Sequence, residues 1–144
     1  FSKVLLDQQS PYLKSVIINK GFNHGIKLGV AVKEKSYLVG KIINVNFLTS
    51  RILLVSDLNS KIPVIIEPSS ANAILSGQGH NDFAGLEFLP KLQKIKEGDV
   101  VYTSGVDGII SQAIPVGKVI EKDEIFFVEF FVDFNQIKYV KVNK

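Results

Sequence analysis

The sequence predicts an all-β protein, and three observations carry that expectation. Hydropathy alternates every second residue along nearly the whole chain and nowhere sustains a 3.6-residue period. Clusters of Gly, Pro, Asn, Asp and Ser cut the chain into about a dozen short segments, the spacing of a sandwich or a barrel. Hydrophobic residues make up 46% and charged residues 22%, with ten Phe and four Tyr, a composition that fills an interior rather than a disordered chain. With 144 residues the chain forms one compact unit or two very small ones packed together, burying roughly 68% of its unfolded surface.

Strands are expected near 3–6, 14–18, 29–33, 36–45, 50–55, 61–66, 72–76, 84–88, 99–103, 116–121, 125–134 and 136–142. Little or no helix remains: 91–97 makes a single turn at most between Pro90 and Gly98. Ser10-Pro11-Tyr12 is an extended entry, because proline fixes its own φ and pushes the preceding residue out of the helical region. Gly21, Gly25 and Gly29 are spaced by four. Gly21 and Gly25 are expected at positive φ in successive turns, and Gly29 where a strand starts close to another backbone. A phosphate cradle would instead need glycines leading into a helix, whereas the residues after Gly29 are strand-like. Gly40, in the middle of a long strand, marks a bend or bulge. Pro63 confines its strand to an edge or first-residue role. The polar run 77–82 reads as a hairpin tip.

The stretch 98–119 reads as strand, ordered loop, strand: two β-branched runs, 100–103 and 116–120, flank Gly105, Gly108 and Pro115. Gly98, Gly105, Gly108 and Gly117 shape its backbone, and Ser104 is a turn residue bonding to local backbone groups. Farther on, Phe126, Val128, Phe130, Val132 and Phe134 alternate with Phe127, Glu129, Phe131 and Asp133. The first set faces the core. The second mixes aromatics with carboxylates, the composition of a partner-docking surface, unless another part of the chain covers Phe127 and Phe131. Phe127, Glu129 and Phe131 are therefore the candidate partner-binding residues.

Several classes of chemistry find little support. With no Cys, disulfides, thiolate zinc sites and cysteine nucleophiles are excluded. His24 and His80 lack ligand-spaced partners, so neither a metal nor a cofactor is expected. His24, Asp57 and Ser104 follow the order of one serine-protease triad, but order is cheap evidence and Ser104 lacks the flanking glycines of an oxyanion hole or nucleophile elbow. Glu87 with Asp99 or Asp107 offers paired carboxylates that nothing singles out. The net charge of +3 is dispersed, and the aromatic strand carries acids where a nucleic-acid face would carry Lys and Arg, so no nucleic-acid partner is expected. No apolar run approaches the roughly 20 residues of a membrane span, and no signal peptide opens the chain. Phe1 is not an initiating residue, so the sequence is expected to be a piece of a longer protein.

A set of motifs in order resembles the periplasmic domain of the rod shape-determining MreC family. They are Ser10-Pro11-Tyr12; Asn19-Lys20-Gly21 with Gly25 and Gly29; Leu38-Val39-Gly40-Lys41; Thr49-Ser50-Arg51-Ile52-Leu53-Leu54-Val55; Asp57 with Pro63-Val64; Ile74-Leu75 with Gly77 and Gly79; Gly98-Asp99-Val100-Val101 with Thr103-Ser104-Gly105; Gly108; Ile114-Pro115-Val116-Gly117-Lys118-Val119; and Ile137-Lys138-Tyr139-Val140. Their order and spacing, rather than any single motif, carry the likeness. Tyr12 stands where the family more often has Trp, and Ile109-Ile110-Ser111-Gln112 replaces an aromatic-proline loop.

The resemblance implies two small packed six-stranded β-barrels, distantly chymotrypsin-like and without catalytic residues, preceded by a coiled coil and one transmembrane helix. One barrel is expected from 1–48 plus 99–144 and the second, inserted, from 49–98. The implied function is a non-enzymatic scaffold of the cell-elongation complex, in the periplasm as the soluble part of an inner-membrane-anchored protein. It would self-associate as a dimer or filament and bind and activate penicillin-binding protein 2, with MreD, RodA and MreB reached through the full-length complex. A β-barrel hydrolase using His24, Asp57 and Ser104, and a glycan-binding module with aromatics in a concave groove, are the competing classes.

Overall fold

The computed structural model describes residues 2–5, 14–80, 82–89, 94–105, 113–134 and 136–142. It contains twelve strands: β1 (Ser2–Leu5), β2 (Ser15–Ile18), β3 (Ala31–Glu34), β4 (Tyr37–Val45), β5 (Ser50–Leu54), β6 (Lys61–Glu67), β7 (Ala71–Gly77), β8 (Phe83–Glu87), β9 (Val100–Thr103), β10 (Pro115–Lys122), β11 (Ile125–Phe130) and β12 (Tyr139–Val142). The helical content of the described residues is one 3₁₀ turn, Phe22–His24. Among the described residues every strand pairing is antiparallel, and the strands close two six-stranded barrels. The first barrel runs β1, β12, β3, β4, β5, β2; the second runs β10, β11, β8, β7, β6, β9.

The partition of the chain differs from the expected 1–48 plus 99–144 and 49–98. β5 stays in the first barrel between β2 and β4, with Ile52 opposite both Val16 and Ile42. β9, β10 and β11 belong to the second, where Tyr102 lies opposite Ile65 and Phe127 opposite Gly85. The inserted barrel thus extends from β6 to β11, and only β12 returns, between β1 and β3 (Ser2 opposite Val140, Val32 opposite Val142). The reason is hydrogen bonding: β9 completes the open side of β6, so it cannot also serve the first barrel.

Pro63 was expected to mark an edge, yet β6 is paired on both sides. Its carbonyl accepts the Ser104 N–H at 3.1 Å, so the missing N–H also faces β9, at the point where that strand ends. One ladder bond at most is lost. The glycines at 21 and 29 exchange the expected roles. Gly21 is extended (φ −142°), and a Cβ there would stand 2.2 Å from the Asn46 carbonyl, while Gly29 takes φ +85°. Gly40 lies where β4 slips register, and β5 crosses so closely that a Cβ would meet the Leu53 carbonyl at 2.0 Å. Turn 91–97 falls partly, and Gly108 wholly, outside the described residues.

Each barrel has its own core. Ile18, Val32, Val39, Ile42, Ile52 and Val140 fill the first, and Ile62, Val64, Ile66, Leu75, Val101, Val119 and Val128 the second. Leu38 and Val55 come from first-barrel segments but pack in the second core, and Phe134 touches both clusters. The two barrels therefore share one continuous apolar junction.

Candidate partner-binding surface

Strand β11 carries the alternation that the sequence displays. Val128 and Phe130 are buried and Glu129 and Phe131 exposed, but Phe126 and Phe127 are both half-buried, so the alternation begins only at Val128. The burial pattern continues past the strand end through buried Val132 and exposed Asp133. β11 lies between β10 and β8, with Glu129 opposite both Lys118 and Phe83. Residues directly opposite on antiparallel strands share a face, so the outer face of the second barrel assembles Phe83, Phe127, Glu129 and Lys118 from three strands.

The aromatic contacts are specific. Phe127 meets Phe83 edge-on with centroids 5.3 Å apart, His80 stacks on Phe83 at 4.7 Å, and Lys122 Nζ lies 5.7 Å over the same ring. Phe131 instead packs its ring against Tyr37 of the first barrel at 5.0 Å and is 37% exposed. Phe127 and Phe131 thus sit at two ends of one surface rather than side by side. Between them runs a cleft of about 570 Å³ lined by Phe83, Ile120, Lys122, Glu129, Phe131 and Asp133, adjoining a smaller one of about 210 Å³ lined by Ile125 and Phe127. Glu129 pairs with Lys118 at 3.6 Å, both half in solvent. The rim is charged and the floor aromatic, which suits an anchor side chain from a partner.

Sequence reasoning missed Phe83, His80, Lys122 and Tyr37. Phe83 had a weak signal: it opens a short strand that alternates outward through Glu87. Its partner Phe127 lies 44 positions on and is joined to it only by strand register.

The three triad-ordered residues have other roles. His24 Nδ1 accepts the Gly21 N–H at 3.1 Å, whereas a triad needs a protonated Nδ1 that donates to a carboxylate. Asp57 is buried, with Oδ1 accepting the Lys14 N–H at 2.6 Å and Oδ2 the Asn59 N–H at 2.7 Å. Ser104 extends the β6–β9 ladder through its N–H. The paired carboxylates are likewise engaged: Glu87 with Lys61 Nζ at 2.6 Å and Asp99 with the Lys96 N–H at 2.9 Å. The Lys61 hydrogen bond and charge hold Glu87 below its ordinary range. Asp107 lies outside the described residues. As for a sugar platform, the Phe83 ring is already met by His80 and Lys122.

The fold and this surface define an all-β double-barrel module that presents an aromatic groove with a charged rim. The chain belongs to the MreC family: the family model for the rod shape-determining protein MreC, barrel core, matches residues 4–144. It is 36% identical to the cell shape-determining protein MreC of Cereibacter sphaeroides over 140 residues, 96% of this chain and 46% of that protein. The chain therefore spans less than half the length of that relative. Among solved structures, MreC from Pseudomonas aeruginosa superposes with a TM-score of 0.90 at 27% identity, covering 99% of this chain and 97% of that one. Two more distant structures share the fold. The major periplasmic domain of the cell shape-determining filament MreC gives a TM-score of 0.81 at 20% identity, covering 98% and 92%. A chain from the complex between penicillin-binding protein 2 and MreC of Helicobacter pylori gives 0.67 at 15%, covering 100% and 96%.

Proposed function

We propose that this chain is the barrel module of a non-enzymatic periplasmic scaffold that maintains rod shape by binding penicillin-binding protein 2 and favouring its active conformer. The observation that carries this reading is the groove between Phe127 and Phe131, with Glu129 on its rim. The Helicobacter MreC complex supports the choice of partner. An apolar anchor from the transpeptidase would fill the groove, and Glu129 and Asp133 would select a basic neighbour on that anchor. Activation then needs no chemistry on this chain, only tighter binding to one conformer: a tenfold preference is about 1.4 kcal/mol of bias. The backbone partners of His24 and Asp57 favour a structural role for both residues over hydrolysis.

Self-association as a dimer or filament, an upstream coiled coil and inner-membrane helix, and links to MreD, RodA and MreB belong to the same reading, in the full-length protein. The filament and the periplasmic setting are supported by the related domain described in those terms.

The test is a pull-down and titration calorimetry of this chain against the periplasmic domain of the elongation transpeptidase. Phe127→Ala and Phe131→Glu are each expected to weaken binding tenfold or more, about 1.4 kcal/mol. Full binding by both variants, each folded by circular dichroism, would place the contact elsewhere.

A further inference from the structure

The two barrels carry opposite charge. Residues 1–60 and 131–144, which hold the first barrel, contain eleven Lys and Arg against four Asp and Glu; residues 61–130 contain six against ten. The nets of +7 and −4 together give the chain's +3. The first barrel's charge is also unevenly placed along its axis. β2 and β4 run toward one end and β1, β3 and β5 away from it, as their antiparallel registers require. Lys3, Lys20 and Lys27 lie at or near that end, where Lys3 and Asn19 exchange backbone and side-chain hydrogen bonds. At the other end Lys14, Lys33 and Lys35 are partly offset by the described carboxylates on β3 and after β5, Glu34 and Asp57, so the end with Lys3, Lys20 and Lys27 is the more basic of the two.

That same basic end exposes large apolar side chains. Phe22 is 72% exposed, Leu28 66%, Phe47 62% and Leu48 57%. They belong to two loops locked together, since the Phe22 N–H donates to the Asn46 carbonyl at 2.7 Å and the Asn23 N–H to the Phe47 carbonyl at 3.0 Å. The lack of side-chain space at Gly21 keeps the loops in that contact. A barrel surrounded only by water gains nothing by presenting two phenylalanines on such a fixed tip.

We propose that this tip, built from the 21–29 and 46–49 loops, seats on an anionic bilayer surface. Phe22, Phe47 and Leu48 would enter the headgroup boundary while Lys3, Lys20 and Lys27 meet lipid phosphates, the pairing of apolar and basic groups that interfacial binding requires. The acidic second barrel is repelled by the same surface and points away. The proposal is independent of the groove at Phe127 and Phe131, which is built on the second barrel and touches the first only where Phe131 meets Tyr37 at the start of β4, so either can fail without the other.

The chain contains no Trp, which makes Phe47→Trp a single fluorescent reporter. With vesicles of equal parts phosphatidylethanolamine and phosphatidylglycerol, its emission is expected to shift to the blue and the protein to float with the lipid. Both effects should fade with added salt and be absent with phosphatidylcholine alone. Phe22→Ser with Phe47→Ser, and separately Lys3→Glu with Lys27→Glu, should each lower partitioning about tenfold or more. Phe88→Ser, on an 81% exposed residue of the second barrel, should change nothing. Failure to bind anionic vesicles, or binding indifferent to both pairs, overturns the proposal. So does a blue shift that grows with protein concentration in the absence of lipid, which would make a second copy the occupant. The lysine pair decides the matter even if the serine pair unfolds the chain.

Discussion

The carboxylate of Asp57 accepts the backbone N–H of Lys14, 43 positions earlier, at 2.6 Å. One buried side chain therefore ties the entry of β2 to the segment that leaves the first barrel, and its second oxygen caps the Asn59 N–H. Hydrogen bonds to a charged acceptor contribute about 1.5–3 kcal/mol each, and removing the acceptor strands both amides. Asp57→Ala should lower unfolding stability by about 3 kcal/mol and Asp57→Asn by about half of that, measured by urea denaturation.

Two glycines separate crowding from backbone conformation. At Gly40 an added methyl would overlap the Leu53 carbonyl, a backbone atom that cannot turn aside. Gly40→Ala is expected to cost about 3 kcal/mol or to prevent closure of the first barrel. At Gly98 φ is +95° with open space around it, so Gly98→Ala should cost only about 1 kcal/mol. The difference between the two denaturation midpoints checks the close approach of β4 and β5.

Leu38 belongs to a first-barrel strand yet is fully buried in the second barrel's core. Leu38→Ala should cost about 2–5 kcal/mol. The wild type should unfold in one calorimetric transition because the junction couples the barrels. Two resolved transitions in the variant would show that this side chain carries much of the coupling.

The Lys61–Glu87 pair gives the expected pH dependence. Its hydrogen bond and charge favour ionised Glu87, so the folded-state pKa lies below the ordinary 4.5. The stabilisation is therefore complete above that value and is lost as pH falls through the depressed one. Thermal melts of wild type and Glu87→Gln should differ slightly at neutral pH and converge in acid. The pair is exposed, so the difference is small.

Strand positions were legible because alternation is local: the burial of Val128 to Asp133 can be read from β11 and the residues just after it, although Phe126 and Phe127 are both half-buried. The division into barrels was not. Nothing within β5 or β9 states which strands flank it, and both assignments depend on partners far away in sequence. Pro63 misled for the same reason, since its harmlessness depends on β9 ending beside it. Phe127, Glu129 and Phe131 could be picked out by their alternation with the core, but Phe83 and Tyr37 could not, because register and barrel contact bring them in. Gly21 and Gly29 show a further gap: a sequence reveals that a glycine is needed, not whether crowding or positive φ needs it.

The first and last strands of the chain lie side by side in the first barrel, with Ser2 opposite Val140. The second barrel, β6 to β11, is threaded into that frame between β5 and β12. Tension applied through β1 would accordingly be borne in shear by the ladders to β2 and β12, leaving the groove on β11 mechanically unloaded. Such an arrangement lets one barrel act as the strain-bearing mount while the other keeps its shape for recognition.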